Sequence, residues 1–206
     1  AAVASASLGT LDTQQLQRVE VVKGPQSTLW GSGAIGGVIN ASTLPANRQG
    51  NSAFASAGYG ANNTFRSAAV LSHGGPAAQV SVGLSRHTTD GIPTLSISEV
   101  DSAYDNTSFN LAAATEMHGY RLQAAHWQTQ GEAEYLAFTY PAPNYSLVFA
   151  PVSQDFLTSA SSLSASGKLF GDIDTSLQLS LARDHVDQND NRDFAPTDRS
   201  MLSLRN

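Results

Sequence analysis

Cysteine is absent from the sequence, and charged residues are few. Of the 206 residues, 14% are charged and 41% are hydrophobic. Without cysteine the chain has no disulfide framework and no thiolate metal ligands. A typical soluble domain has about 25% charged residues, and here Ser, Thr, Ala, Gly, Asn and Gln take their place. A protein whose surface meets water on every side would be expected to carry more charge than this composition provides.

Basic residues and long apolar runs are also scarce. The chain has 11 Lys and Arg against 17 Asp and Glu, a formal net charge of −6, so it offers no basic stripe to which nucleic acid would bind. No stretch approaches the roughly 18–20 consecutive apolar residues of a membrane helix. The first residues carry no secretory signal, and the last ones stop inside a predicted strand. We therefore expect the sequence to be an internal piece of a longer protein.

From about residue 51 onward the sequence alternates between polar and apolar residues in segments near ten residues long. In residues 176–181 this period of two places Leu177, Leu179 and Leu181 on one side of a strand. Turn residues separate the segments, as in membrane β-barrels. The pattern predicts about eight strands, near Asn51, Phe65, Gln79, Thr107, Tyr120, Leu163, Thr175 and Met201.

The connections between these segments alternate between short and long. Barrels of the outer membrane have short turns on the periplasmic side and longer loops outside. The sequence therefore predicts a wall with lipid on its leucine side and a polar lumen on its serine and glutamine side. Tight turns are predicted at 74–76, 117–119 and 171–173, and long polar loops at 91–104, 132–160 and 186–197.

Residues 19–43 carry the most informative motif. A β-branched strand ends at Lys23-Gly24-Pro25, and a short polar turn through Trp30 leads to a glycine cluster. A second strand, Gly36-Gly37-Val38-Ile39-Asn40, follows it. This order closely resembles the end of the plug domain of TonB-dependent outer-membrane receptors, in which basic-Gly-Pro, Ser-x-Leu-aromatic-Gly and Gly-Gly-Val-Ile-Asn occur in the same sequence.

The resemblance implies an all-β fold, a fragment of a transmembrane antiparallel β-barrel that is preceded by the end of a plug domain. Residues 1–45 correspond to the C-terminal part of the plug, and residues 46–206 to the N-terminal portion of the barrel. Because plugged transporters use about 22 strands, the chain holds roughly the first third of the wall. The implied location is the bacterial cell outer membrane, and the implied function is active uptake of a scarce ligand such as cobalamin or a ferric siderophore.

The resemblance also implies partners and functional residues. The partners are a TonB-type energy-transducing protein of the inner membrane, which acts through a region outside this sequence, outer-membrane lipid and a small-molecule ligand. In the family, charged plug residues face polar groups of the barrel wall; the alternative is that they are solvated charges on a strand edge. The plug residues of interest are Arg18, Glu20, Lys23, Gly24, Pro25, Gly31, Gly33, Gly36, Gly37 and Asn40.

The glycine cluster also matches G-x-G-x-x-G at residues 31–36, which suggests a nucleotide-binding enzyme as an alternative. That motif requires a helix directly after it and an acidic residue about 20 positions further on. Here β-branched Val38 and Ile39 and then Pro45 follow, and no Asp or Glu occurs between Glu20 and Asp90. We therefore interpret the glycines as allowing close backbone packing, and we expect no enzymatic activity.

The early barrel region, residues 87–91 and Asp105-Asn106, looks like vitamin B12 receptors more than siderophore receptors. Those receptors can bind calcium through aspartates of the early outer loops. Asp101 and Asp105 are the candidates here, since carboxylate oxygens suit Ca²⁺. A hydrated acidic loop is the alternative, and no other cofactor is predicted.

Aromatic residues cluster in the longest predicted loop. Tyr135, Phe138, Tyr140 and Tyr145 would contact a large planar ligand by stacking or apolar burial. The alternative is a self-packed surface loop or an interfacial aromatic girdle. For the whole protein, the alternative to a receptor is a soluble or surface β-rich binding or adhesion protein, which predicts polar side chains on both faces of its sheets.

Overall fold

The computed structural model describes residues 16–30, 34–43, 50–94, 100–139, 143, 148–169, 173–188 and 193–205. These residues form two antiparallel sheets and one short helix. The first sheet pairs strand β1 (Leu16–Lys23) with strand β2 (Gly37–Thr43), and helix α1 (Ser27–Trp30) lies between them in the chain. Among the described residues, no helix is long and apolar enough to cross a membrane.

The second sheet is a meander of eight strands, each hydrogen-bonded to its neighbours in the chain. The sequence-based predictions of an all-β fold and of about eight strands beyond residue 50 are confirmed. The strands are β3 (Gly50–Tyr59), β4 (Phe65–Gly74), β5 (Ala78–Thr89), β6 (Tyr104–Met117), β7 (Tyr120–Thr139), β8 (Val148–Leu169), β9 (Ile173–Gln188) and β10 (Asp193–Arg205).

Two of the three predicted tight turns lie at one end of this sheet. His118 and Gly119 join β6 to β7 with φ angles of 53° and 80°, the left-handed backbone that a two-residue hairpin requires. Residues 75–77 join β4 to β5, and the Gly75 N–H donates to the Ala78 carbonyl at 2.8 Å. Most of the third predicted turn, 171–173, lies outside the described residues.

Two of the three predicted long loops are wrong in extent. Strands β7 and β8 pair as far as Thr139 and Val148, inside the predicted loop 132–160. Strands β9 and β10 likewise pair as far as Gln188 and Asp193. A polar segment remains a strand when a neighbouring strand satisfies its backbone N–H and C=O groups, whatever its side chains face. In the predicted loop 91–104, the described residues 91–94 and 100–103 lie outside the named strands.

The leucines of β9 lie on an exposed face of the sheet. Leu177, Leu179 and Leu181 expose 46%, 42% and 50% of their surface, whereas Ser180 between them exposes 5%. Strand β5 repeats the arrangement, with exposed leucine and valine and buried serine. We call the leucine side the apolar face and the serine side the polar face. Their exposures are the reverse of those in a soluble core.

On the apolar face the register brings apolar residues side by side from β5 to β10, and in β4 and β3 the same row continues with His73 and Asn51. One such row has an alanine, leucine or valine at every position from β5 to β10. Small hydrophobic residues in adjacent strands thus form a band rather than isolated patches. The row consists of Val80, Ala113, Ala124, Leu163, Leu179 and Leu202.

The polar face is held together by hydrogen bonds between buried side chains. The hydroxyls of Ser72 and Ser81 lie 2.8 Å apart, and those of Ser108 and Thr129 lie 2.9 Å apart. The Asn106 Oδ1 atom accepts hydrogen bonds from both Ser108 and Thr129, at 3.0 and 2.9 Å. Buried polar groups are tolerated when they are bonded in this way. The same face also buries a few apolar side chains between the polar ones: Ala68, Val70, Ala112, Ala114 and Phe156.

Gly131 in β7 lies between two strands whose aromatic side chains contact each other. The Tyr104 and Phe156 rings stack with centroids 6.0 Å apart and an interplanar angle of 16°. Phe156 is in register with Gly131. The Asn106 Nδ2 group donates to the Tyr104 hydroxyl at 2.6 Å. A Cβ atom on Gly131 would lie 1.9 Å from the Asp105 carbonyl oxygen, so this position does not accept a larger residue without movement of the backbone.

We expect Gly131→Ala to lower the free energy of unfolding by about 1–3 kcal/mol, the usual cost of forcing an extra carbon into a packed site. Gly58→Ala is the matched control, because nothing lies within 4 Å of the Cβ position at Gly58. Denaturant unfolding of both variants measures the difference. Equal midpoints would contradict the packing described for Gly131.

Candidate functional site

The paired strands β1 and β2 present charged and amide side chains on one face. Glu20 is in register with Asn40, and the Asn40 Nδ2 group donates to the Glu20 carboxylate at 3.1 Å. Arg18 forms an ion pair with the same carboxylate. Three of the predicted plug residues are thus brought together, although Asn40 lies 20 positions from Glu20. The Arg18 and Glu20 side chains expose 70% and 39% of their surface, so contact of these charges with polar groups of the barrel stays a prediction.

The opposite face of β1 and β2 is apolar and exposed. Val19, Val21 and Ile39 expose 52%, 62% and 49% of their surface. An isolated two-stranded ribbon is marginally stable in water. Packing of this apolar face against another surface would therefore stabilise the ribbon.

The turn that follows β1 depends on glycine and proline. Gly24 has a φ of 95°, which glycine adopts readily, and Pro25 has no N–H to continue the ladder. The Gly24 N–H donates to the Gly36 carbonyl at 3.3 Å, and the Gln26 N–H donates to the Ala34 carbonyl at 2.8 Å. These two bonds thus join the segments before and after helix α1.

The glycines of the cluster differ in what they do. A Cβ atom on Gly37 would lie 2.6 Å from the Val22 carbonyl oxygen, whereas nothing lies within 4 Å of that position on Gly36. The close approach of the backbone at position 37 to that of Val22 therefore requires glycine at this position. Gly31 and Gly33 lie outside the described residues. Strand β2 follows the cluster directly, in the place where a dinucleotide-binding motif has a helix.

The two predicted calcium ligands lie in different settings. The Asp105 carboxylate accepts a hydrogen bond from the Arg86 guanidinium at 2.7 Å, so a neighbouring cation already compensates its charge. Asp101 is exposed and forms an isolated β-bridge with Pro93. Within the described part of the chain, no group of three or more His, Asp and Glu side chains is arranged to hold a metal. Calcium binding therefore stays a prediction.

Pairing of the strands creates an acidic row that the sequence did not reveal. Asp105, Glu132, Asp155 and Asp187 occupy directly opposed positions on β6, β7, β8 and β9. They line an open groove of about 490 Å³ together with His185. The four residues are distant in the chain and are brought into one row only by the register, so no local motif marks them.

The predicted aromatic ligand loop is partly a strand. Tyr135 lies in β7 opposite Val152 and is half-buried, and the backbone of Phe138 lies further along the same strand. Tyr140 and Tyr145 lie outside the described residues. Residues 134–139 and 148–153 pair beyond the point where β6 and β9 end, and we call them the β7–β8 arm.

We expect Gly37→Ala to loosen the ribbon, because the new Cβ atom meets the backbone of β1. Gly36→Ala is the adjacent control with open space around it. Hydrogen exchange of the β1 and β2 amides in the full-length protein measures the effect, and a destabilisation of about 1–3 kcal/mol is expected for Gly37→Ala. Unchanged exchange in this variant would show that the close approach does not constrain the turn.

Comparisons with known proteins agree with the resemblance seen in residues 19–43. The profile of the TonB-dependent Receptor Plug Domain matches residues 2–38. The chain is 41% identical over 93 residues to the Vitamin B12 transporter BtuB of Vibrio vulnificus (strain YJ016), an alignment that covers 44% of this chain and 15% of BtuB.

A solved structure confirms the fold. The crystal structure of the siderophore receptor PiuA from Acinetobacter baumannii matches with a TM-score of 0.65 and 14% sequence identity, covering 84% of this chain and 27% of PiuA. At that identity the match concerns the fold. The chain thus spans a small part of the length of both relatives.

Proposed function

We propose that this chain is part of a TonB-dependent receptor of the bacterial outer membrane, which imports a scarce ligand. Residues 1–45 form the end of its plug, and residues 46–206 form the first strands of its barrel. One observation carries the proposal: a segment similar to receptor plugs precedes an eight-stranded sheet in which leucines are exposed and serines are buried.

The two faces of the sheet suit a barrel wall. Its apolar face meets the hydrocarbon of the membrane, and its polar face meets the lumen and the plug. Because lipid offers no hydrogen bonds, every backbone group in the hydrocarbon must pair within the protein. A meander of long antiparallel strands satisfies this requirement at every interior strand, and further strands of the whole receptor would pair with its two edges.

Energy for uptake comes from outside the barrel. A plug that fills the lumen must move before the ligand passes, and a passive barrel supplies no free energy for movement. The whole receptor obtains it from a TonB-type protein of the inner membrane, which pulls on a segment outside this sequence. The proposal assigns no enzymatic activity to the chain.

Cobalamin is the favoured ligand among those considered. The 41% identity over 93 residues with a vitamin B12 transporter supports it, whereas the likeness to a siderophore receptor concerns the fold. The β7–β8 arm, with Tyr135 and Phe138, contacts the ligand from the outer side. Asp101 and Asp105 remain the proposed calcium ligands.

Growth of a receptor-deleted strain tests the proposed transport. The full-length parent protein should restore growth on limiting cobalamin and should not restore growth on ferric siderophores. Its location in outer-membrane extracts is the accompanying measurement. Growth restored on ferric siderophores alone would show that the ligand is a siderophore and not cobalamin. A soluble protein without uptake activity would favour the alternative, a β-rich binding protein.

The proposed orientation of the sheet is tested by placing arginine on each of its faces. Leu179→Arg should reduce assembly in the outer membrane, since arginine facing lipid costs about 2–4 kcal/mol near the midplane. Gln178→Arg is the matched control, because its side chain lies on the opposite face of the same strand. The fraction of heat-modifiable protein measures assembly. Equal losses in both variants would contradict the assigned faces.

A further inference from the structure

A turn near the start of the sheet is hydrogen-bonded to the end of a strand that is not its neighbour in sequence. Residues 60–64 join β3 to β4, and residues 89–91 lie at the end of β5, on the other side of β4 in the sheet. Backbone and side-chain bonds connect the two segments. We call this group the anchor cluster, and its members are Tyr59, Asn62, Asn63, Thr64, Thr89, Asp90 and Gly91.

The turn itself has a defined backbone. Asn62 and Asn63 have φ angles of 54° and 50°, a region that asparagine tolerates better than other residues with a side chain. The Thr64 N–H donates to the Ala61 carbonyl at 3.0 Å, and the Gly60 N–H donates to the Thr64 carbonyl at 2.8 Å. The two asparagines are therefore held in place before they contact any other segment.

Bonds from this turn then hold the end of β5. The Asp90 N–H donates to the Asn62 carbonyl at 3.0 Å, and the hydroxyls of Thr64 and Thr89 lie 2.9 Å apart. The Asn63 amide donates to the Asp90 carboxylate. In turn, the Tyr59 hydroxyl donates to the Asn63 Oδ1 atom at 2.7 Å. A chain of side chains thus runs from β3 to the residue at which the β5–β6 loop begins.

The base of the β5–β6 loop is closed directly after the anchor cluster. Gly91 has a φ of 75°, and a Cβ atom there would lie 2.0 Å from the Ser102 carbonyl oxygen. The Ser102 N–H donates to the Ile92 carbonyl at 3.2 Å, and Pro93 forms a bridge with Asp101. The two sides of the loop base are therefore joined to each other, and one side is joined to the anchor cluster.

We infer that the anchor cluster is a conformational device that preorganises the base of the β5–β6 loop, so that Asp101 is presented from a fixed position before any ligand or cation binds. The inference stands on the hydrogen bonds of the described residues and does not depend on the proposed transport function. A preordered loop saves the entropy that ordering would cost on binding. The competing account is that a cation such as Ca²⁺ supplies the order.

Hydrogen exchange in the full-length parent protein distinguishes the two accounts. Peptides that cover residues 88–92 should be protected equally in EDTA and in millimolar Ca²⁺. The N63D variant places two carboxylates against each other and should exchange about tenfold faster, the loss of a hydrogen bond to a charged group. In the N63D/D90N double variant an amide faces a carboxylate again, and protection should return.

Two further variants keep the test decisive. Y59F removes one hydroxyl and retains the ring, so it should raise exchange by a smaller factor even if N63D fails to assemble. G58A is the control, since Gly58 is not a member of the anchor cluster and nothing lies within 4 Å of its Cβ position, and it should exchange like the unaltered protein. Protection that appears only with Ca²⁺, or N63D and Y59F that exchange like the unaltered protein, would overturn the inference.

Discussion

Hydrogen bonding between the backbones of adjacent strands is the constraint on which the rest of this structure depends. Eight strands pair in chain order, and in the described part of the chain this pairing satisfies the N–H and C=O groups of the interior strands. The side chains are then released from the need to form a soluble core. Leucine can face outward and serine inward, which is the distribution that a lipid exterior and a polar lumen require.

The register of the pairing also determines which distant residues meet. The acidic row across β6 to β9 and the anchor cluster across β3 to β5 both join residues from separate segments. Neither group is recognisable as a motif, because the acidic row takes one residue from each of four strands and the anchor cluster joins residues 59–64 to residues 89–91. Functional groups of such a wall therefore follow from pairing rather than from local sequence.

The plug-like ribbon of β1 and β2 is shaped by local residue properties more than the eight-stranded sheet is. Its local geometry depends on Gly24, Pro25 and Gly37, at which the backbone either adopts a left-handed angle, loses a donor or approaches another strand closely. These are properties of single residues, and they therefore produce a short motif that can be recognised in the sequence. Its exposed apolar face, in contrast, needs a partner surface from the rest of the protein.

The sequence by itself determined the all-β class, the number of strands, the outward leucines and the resemblance to receptor plugs. Each of these follows from a local feature of the sequence: the alternation of polar and apolar residues with a period of two, a turn residue, or a short motif. The prediction of long polar loops at 132–160 and 186–197 was wrong in extent, because polarity describes what side chains face and not whether the backbone is paired. Only the tertiary structure decided the length of the β7–β8 arm, the pairing of Asp105 with Arg86 and the anchor cluster. These features depend on the relative register of separate strands, which local periodicity does not encode.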